Sequence, residues 1–319
     1  MSDTNNRIKV GISSCLLGQE VRYDGGHKHS TLCTGQLAKY FDFVPTCPEL
    51  GAGLGVPRPA IRLVGEPVAP RAVHVDDAAV DVTQQLHDFA ARRMPQLADL
   101  CGYVFIKNSP SCGLFRVKVY RDNGYPHQEQ GRGLFAAALT RAMPLLPVEE
   151  DGRLQDPVLR ENFITRVFAW HNWQELEREG LSAKSLTDFH ARYKYTLMAH
   201  SPQDYGVLGR LLADAGRHDP VVLGEQYFTR LMQALQQLAT RKTHANVLMH
   251  LQGYLKKHLA PREKEHMGSV IEQYRKGILP LVVPVTLLRH HFHQHPDPYI
   301  ERQAYLQPYP DDLRLRNQL

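Results

Sequence analysis

Short apolar runs alternate with helical stretches through the first half of the chain. "IKVGIS", "FVPTC", "RAVHV" and "YVFIK" are compact runs rich in β-branched and aromatic residues, and they predict strands. "AAVDVTQQLHDFAARRMPQLADL" and "LFAAALTRAM" set apolar residues three and four apart, which predicts helices. The alternation predicts an α/β region with a mainly parallel sheet, where loops at the carboxyl ends of strands usually carry the chemistry. At "LLPVEEDGRLQDP" Pro, Gly and acidic residues interrupt the pattern, and strand signals nearly vanish beyond it. Helical spacing takes over in "PVLRENFITRVFAWHNW", "SLTDFHARYKYTLMAH", "SPQDYGVLGRLLADA", "EQYFTRLMQALQQLATRKTHANVLMHLQGYLKKHL" and "REKEHMGSVIEQYRKGIL". Ser201 followed by Pro202 predicts a helix cap with proline in the first turn. The expected organisation is an α/β domain over residues 1–148 and an all-α domain over residues 149–319.

Composition narrows the class without naming a function. The 319 residues are 43% hydrophobic and 22% charged, as in ordinary globular proteins. No run of about 18 apolar residues suggests a membrane span. "MSDTNNRIKV" lacks the apolar core of a secretory signal, so a cytoplasmic location is expected. Five cysteines without a short paired spacing then read as reduced thiols or metal ligands. A formal charge of +5, with 17 histidines uncounted, permits an acidic partner such as nucleic acid. Nothing in the sequence calls for an obligatory protein partner.

Three of the cysteines share one setting. Cys15 lies in "KVGISSCLLG", Cys47 opens "CPELGAGLGVPRP", and Cys112 ends "YVFIKNSPSC", each just past an apolar run among Ser, Thr, Pro or Gly. Any one of them alone reads as a small buried hydrophobe. If the strands are parallel, however, all three thiols reach the same rim of the sheet. Structural zinc would show a short Cys-x-x-Cys pair and a fourth ligand, and neither is present. Three thiolates from three loops suit a 4Fe-4S cluster with one iron not ligated by protein, free to take a soft sulfur atom. Cys33 and Cys101 read as structural thiols. Glu49, two residues past Cys47, is a candidate general acid or base. Ser109 and Ser111 are candidates for orienting substrate or water, and Ser14, Arg22, Asp24 and Asn108 for binding substrate. For each serine taken singly, turn and cap hydrogen bonding is the stronger reading, and Arg22 to Asp24 also suit a tight turn.

"GISSCLLGQEVRYDGGHK", "CPELGAGLGVPRP" and "KNSPSCG" resemble the three signatures of the TudS-type thiouracil desulfidases. "LRENFITRVFAW", "FHARYKYTLMAHSPQDYGVLGRLLA" and "LVVPVTLLRHHFHQHPDPYIERQAYLQPYP" resemble the YbgA-type helical domain, and the fusion resembles RudS-type desulfidases of 4-thiouridine in tRNA. The resemblance implies that Cys15, Cys47 and Cys112 hold a 4Fe-4S cluster whose fourth iron is open. It also implies that a thiocarbonyl sulfur binds that iron and that water replaces it at carbon, releasing hydrosulfide without net redox change. The glutamate and serine of such enzymes match Glu49 and Ser111, with Ser109 nearly as good a match.

The helical half adds a basic, partly aromatic stretch, "RKTHANVLMHLQGYLKKHLAPREKEH", and a smaller group around Tyr193. Arg192, Lys194, Lys256 and Lys257 are therefore candidate RNA contacts, and thiolated tRNA the expected partner. A solvated helix face explains the same charges. "HHFHQH" lacks acidic or cysteine partners at ligand spacing. Two alternatives stay open: a desulfidase of free thiouracil or thiouridine nucleotides, and an RNA-binding protein whose cluster senses oxygen or iron.

Overall fold

The computed structural model describes residues 7–313 and 315–317. Its chain divides into two compact units, Met1–Asp156 and Pro157–Leu319. The first is α/β and the second contains helices only.

In the first unit, β1 (Ile8–Ser13), β2 (Phe41–Thr46), β5 (Gly102–Phe105) and β7 (Val148–Glu150) form a parallel sheet in the order β2-β1-β5-β7. β5 is buried at every position, and β1 buries Ile8, Val10 and Ile12. Strands covered on both faces read as continuous apolar runs, which is why these two stand out in the sequence. Val148 pairs with Tyr103, so the sheet continues past residue 148 and the first unit closes only at Asp156. β1 pairs with β2 on one side and β5 on the other, so the strand order reverses at β1, the kind of switch point that opens a crevice at the carboxyl ends.

The run "RAVHV" departs from the parallel expectation. As β4 (Arg71–His74) it lies antiparallel to β3 (Ile61–Val64) in a separate three-stranded sheet completed by β6 (Val119–Tyr120). Leu63, Ala72, Val117 and Val119 give this small sheet its own apolar cluster with Leu86 and Leu134. Those two leucines come from α2 (Thr83–Arg93) and α3 (Leu134–Ala142); the one-turn helix α1 (Pro48–Gly51) follows β2 directly.

The second unit runs through α4 (Pro157–Glu179), α5 (Ala183–His200), α6 (Pro202–Ala213), α7 (Pro220–Leu235), α8 (Arg241–Tyr254), α9 (Pro261–Arg275), α10 (Val282–Gln294) and α11 (Pro298–Glu301). Ser201 caps α6 by accepting from the Asp204 N–H at 3.4 Å, ahead of Pro202. The long helical stretch of residues 225–259 is broken, because Thr240 forms a capping box with Thr243 and starts α8 afresh. Among the described residues, no helix is long and apolar enough to cross a membrane.

His190 in α5 lies 3.2 Å from the Tyr227 hydroxyl, and burial, with Lys194 nearby, pushes its pKa down to about 4. The folded unit therefore binds fewer protons than the unfolded chain below pH of about 6.5, and stability falls as pH drops. Trp170 and Trp173, the two tryptophans of the sequence, both sit in α4, so their fluorescence follows this unit alone. In urea titrations, His190→Gln should remove about 2 kcal/mol of the stability lost between pH 7.5 and pH 5, at about 1.4 kcal/mol per pH unit below about 6.5. An unchanged pH dependence in that variant contradicts a neutral, half-buried His190.

Candidate active site

Strand register decides what the cysteines share. Ser13 at the end of β1 pairs with Thr46 at the end of β2, so Cys15 and Cys47 emerge on neighbouring strands at the same edge. Cys15 enters a 3-10 turn, Ser14–Leu17, closed by Gly18 at φ 86°. Cys47 precedes α1 and its carbonyl accepts from the Gly51 N–H at 2.9 Å. Cys112 comes from the loop after β5. Ser109 Oγ accepts from the Cys112 and Ser111 N–H groups at 3.0 and 3.3 Å, folding the Ser-Pro-Ser segment onto itself. The free N–H groups at the start of α3 then bind this turn from behind: Leu134 donates to Pro110 O at 3.0 Å and Phe135 to Ser111 O at 2.9 Å. A Cβ on Gly113 would lie 2.4 Å from Val117 Cγ2 and 2.7 Å from Ser109 O. Glycine is needed there for the turn and its packing.

All three thiols line one cavity of about 850 Å³ in the first unit. Cys15, Cys33, Cys47, Cys101 and Cys112 are free of disulfides. Cys33 and Cys101 are buried and do not line the cavity. Burial, reinforced by Cys47, pushes Cys15 up to about 11; burial also raises Cys47 and, again with Cys47 close by, lifts Cys112 well above the ordinary thiol range. Three crowded thiols are thus strongly disfavoured as bare thiolates, a balance that a cationic group among them would reverse. Among the described residues, no group of three or more His, Cys, Asp or Glu side chains is spaced to hold a single metal ion, the histidine-rich segment of α10 included. Three thiols that ring a cavity without meeting at a point fit a polynuclear iron–sulfur group, whose irons each take one thiolate.

A polar chain runs along the same wall. Ser111 Oγ donates to Glu49 Oε1 at 2.6 Å, and Ser109 Oγ lies 3.1 Å from Ser111 Oγ. With the Ser111 proton committed to the carboxylate, Ser109 is the donor in the second contact. Arg58 closes the chain, 2.7 Å from Glu49 Oε2. Ser14, Arg22 and Asn108 also line the cavity, Asn108 at φ 60°. Asp24 does not: its exposed carboxylate accepts from the Gly26 N–H at 3.1 Å and lies 3.6 Å from Arg22 Nε, which holds its pKa below the usual range and makes it a turn residue. The sequence pattern does not flag Arg58, Lys107 or Asp151, which line the cavity as well. Asp151 accepts from Ser30 Oγ, and only its place after a strand, β7, could have drawn notice.

The candidate RNA contacts lie in the second unit. Lys194 Nζ sits 5.2, 6.0 and 5.8 Å from the rings of Tyr195, Tyr205 and Tyr299, and Tyr254 stacks on Tyr299 at 6.0 Å. Lys256 and Lys257 are exposed just past Tyr254, in a 3-10 turn that ends α8. Arg192 lies in a groove that also carries Glu175, Glu179, Asp188 and Glu301, an acidic setting for a phosphate contact.

Comparison with known proteins divides the chain in a similar way. Residues 10–151 match the family model described as 2-thiouracil desulfurase, and residues 194–310 match the one described as a protein of unknown function, DUF1722. The chain is 34% identical over 160 residues to the uncharacterized protein YbgA of Escherichia coli strain K12, spanning 49% of this chain and 94% of the relative. It is 31% identical over 140 residues to the uncharacterized protein YbbK of Bacillus subtilis strain 168, spanning 41% of this chain and 89% of that one. A solved structure titled a [4Fe-4S]-dependent thiouracil desulfidase, TudS, aligns over 47% of this chain and 95% of its own, with 29% identity and a TM-score of 0.38.

Proposed function

Since the chain belongs to the family of Escherichia coli YbgA and joins a 2-thiouracil desulfurase domain to a DUF1722 domain, we propose that it removes sulfur from thiolated uridine in tRNA, giving uridine and hydrosulfide by hydrolysis. The observation that carries this reading is the convergence of Cys15, Cys47 and Cys112 on one cavity beside the Ser111–Glu49 pair. The three thiolates would hold a 4Fe-4S cluster with one iron open. When bound, the cluster supplies an electrophilic iron with affinity for sulfur.

The chain's own residues do the rest. Glu49 is placed to accept a proton from the water that attacks the thiocarbonyl carbon, directly or through Ser111 Oγ, and later to return it to the departing sulfur. Ser109 donates to the Ser111 hydroxyl and so keeps the Ser111 proton aimed at Glu49. Asn108 and Ser14 offer donors and acceptors to the edge of the uracil ring, and Arg22 at the cavity wall offers a cation to the attached ribose phosphate. At about 850 Å³ the cavity has room for a cluster and one base.

The DUF1722 half supplies the surface for RNA backbone in this reading. Lys194, held among its tyrosines, is continuous through Tyr299 and Tyr254 with Lys256 and Lys257. Tyr254 is exposed and suited to stacking on an unpaired base. Anaerobically prepared full-length protein, incubated with thiolated tRNA and with free thiouracil, tests the assignment by nucleoside analysis. Conversion on tRNA is expected; conversion of the free base alone would restrict the substrate to small molecules. Replacing Lys256 and Lys257 by alanine should weaken tRNA binding and lower the slope of log affinity against log salt by about 1–2, while leaving free-base turnover unchanged. A slope equal to that of the unaltered protein would remove these lysines from the interface.

A further inference from the structure

Arg58 is a buried cation in the wall of the catalytic cavity, inside a loop otherwise made of Gly, Ala, Leu, Val and Pro. Its donors are almost fully used. Nε and Nη2 donate to Glu49 Oε2 at 3.0 and 2.7 Å, Nη2 also to Val21 O at 3.0 Å, and Nη1 to Gly55 O at 2.7 Å. Four of the five N–H groups of a guanidinium are thus engaged, and swinging the side chain toward a ligand would strand them. An arginine meant to grip a substrate anion would keep a pair of donors facing the cavity.

Both Arg58 contacts with Glu49 fall on Oε2, and the Ser111 hydroxyl meets Oε1. The carboxylate is therefore gripped on one oxygen by a planar fork and leaves the other directed at Ser111. The fork is itself anchored to residue 21, between Cys15 and Cys47 in sequence, and to residue 55, past α1. We propose that Arg58 is the positioning residue of the reaction: it fixes the rotation of Glu49 so that Oε1 faces Ser111 and the reacting carbon. This inference rests on Glu49 being the proton-transfer group.

The test is a double-mutant cycle in full-length, cluster-loaded protein: Glu49→Gln, Arg58→Gln, and the pair together. A misplacement of about 1 Å can cost about 10²-fold, so Arg58→Gln should lower kcat by about that factor with KM nearly constant. Iron content and the visible absorption of the cluster should be unchanged. The double variant should be no slower than Glu49→Gln alone, because a residue acting through Glu49 has nothing left to position. Arg58→Lys keeps the charge without the fork, and should lose about 10-fold in kcat in the presence of Glu49 and nothing in its absence. If Arg58→Gln fails to fold, the lysine variant decides by the same comparison. Multiplied losses in the double variant, a raised KM at constant kcat, or iron lost in step with activity would each overturn the positioning role while leaving Glu49 in place. Normal turnover in Glu49→Gln would instead overturn the assigned role of Glu49, and the role of Arg58 with it.

Discussion

Alanine at Cys15, Cys47 or Cys112 is expected to leave the protein without its iron–sulfur absorption and with turnover at background, whereas alanine at Cys33 or Cys101 keeps both. The contrast is large because four of the five thiols are buried and Cys47 is half-buried, so placement rather than burial separates the two sets. Three line the cavity at the carboxyl edge of the parallel sheet; Cys33 and Cys101 lie outside it. A soft, polynuclear group needs several thiolates, whereas burial drives up the pKa values of Cys15, Cys47 and Cys112, and Cys47 adds to the rise at Cys15 and Cys112. Removing one thiol takes away a third of the protein's ligand set. Iron and acid-labile sulfide measured after anaerobic reconstitution decide the matter. Iron retained by Cys112→Ala and lost from Cys33→Ala would contradict the assignment.

Glu49→Gln should have the opposite signature, full iron and little turnover. Glu49 accepts from Ser111 at 2.6 Å and from Arg58 at 2.7 Å, and its charge only raises the pKa values of the three thiols, so the cluster should assemble at least as readily around the amide. The amide is nearly isosteric but has no basic oxygen for a proton, and loss of a general acid or base typically slows turnover by about 10²–10⁴-fold. Single-turnover rates with a thiolated uridine, compared at equal iron content, measure the loss. Turnover within about twofold of the unaltered protein would move proton transfer to another group, with Asp151 the next carboxylate on the cavity wall.

The readable part of this site was the part set by strand ends. β1 and β5 are buried parallel runs, so Cys15, just past β1, and the loop after β5 that carries Cys112 both start from one rim of the sheet. The small second sheet was harder to see, since β3 has only four residues with Arg62 among them and β6 has two, too few for a periodic signal. Within the helical half, the break between α7 and α8 rests on one capping box at Thr240, which the continuous apolar spacing masks in the sequence. Arg58 illustrates what a linear pattern conceals. In "GVPRP" it reads as a loop cation, and its burial follows only from carbonyls of residues 21 and 55 meeting around it in space. The candidate RNA contacts show the reverse: Arg192 looks basic in sequence, yet four carboxylates from other turns of the fold share its groove.

The central claim is that sulfur leaves by hydrolysis at a carbon held beside Glu49 and the three-thiol cavity. Full-length protein loaded with its cluster, supplied with 4-thiouridine in tRNA in ¹⁸O-labelled water and with no reductant, tests it in one experiment. The account predicts one hydrosulfide released per uridine formed, with one labelled oxygen at the carbon that bore sulfur. Sulfur loss without the label, or only when a reductant is added, would contradict it.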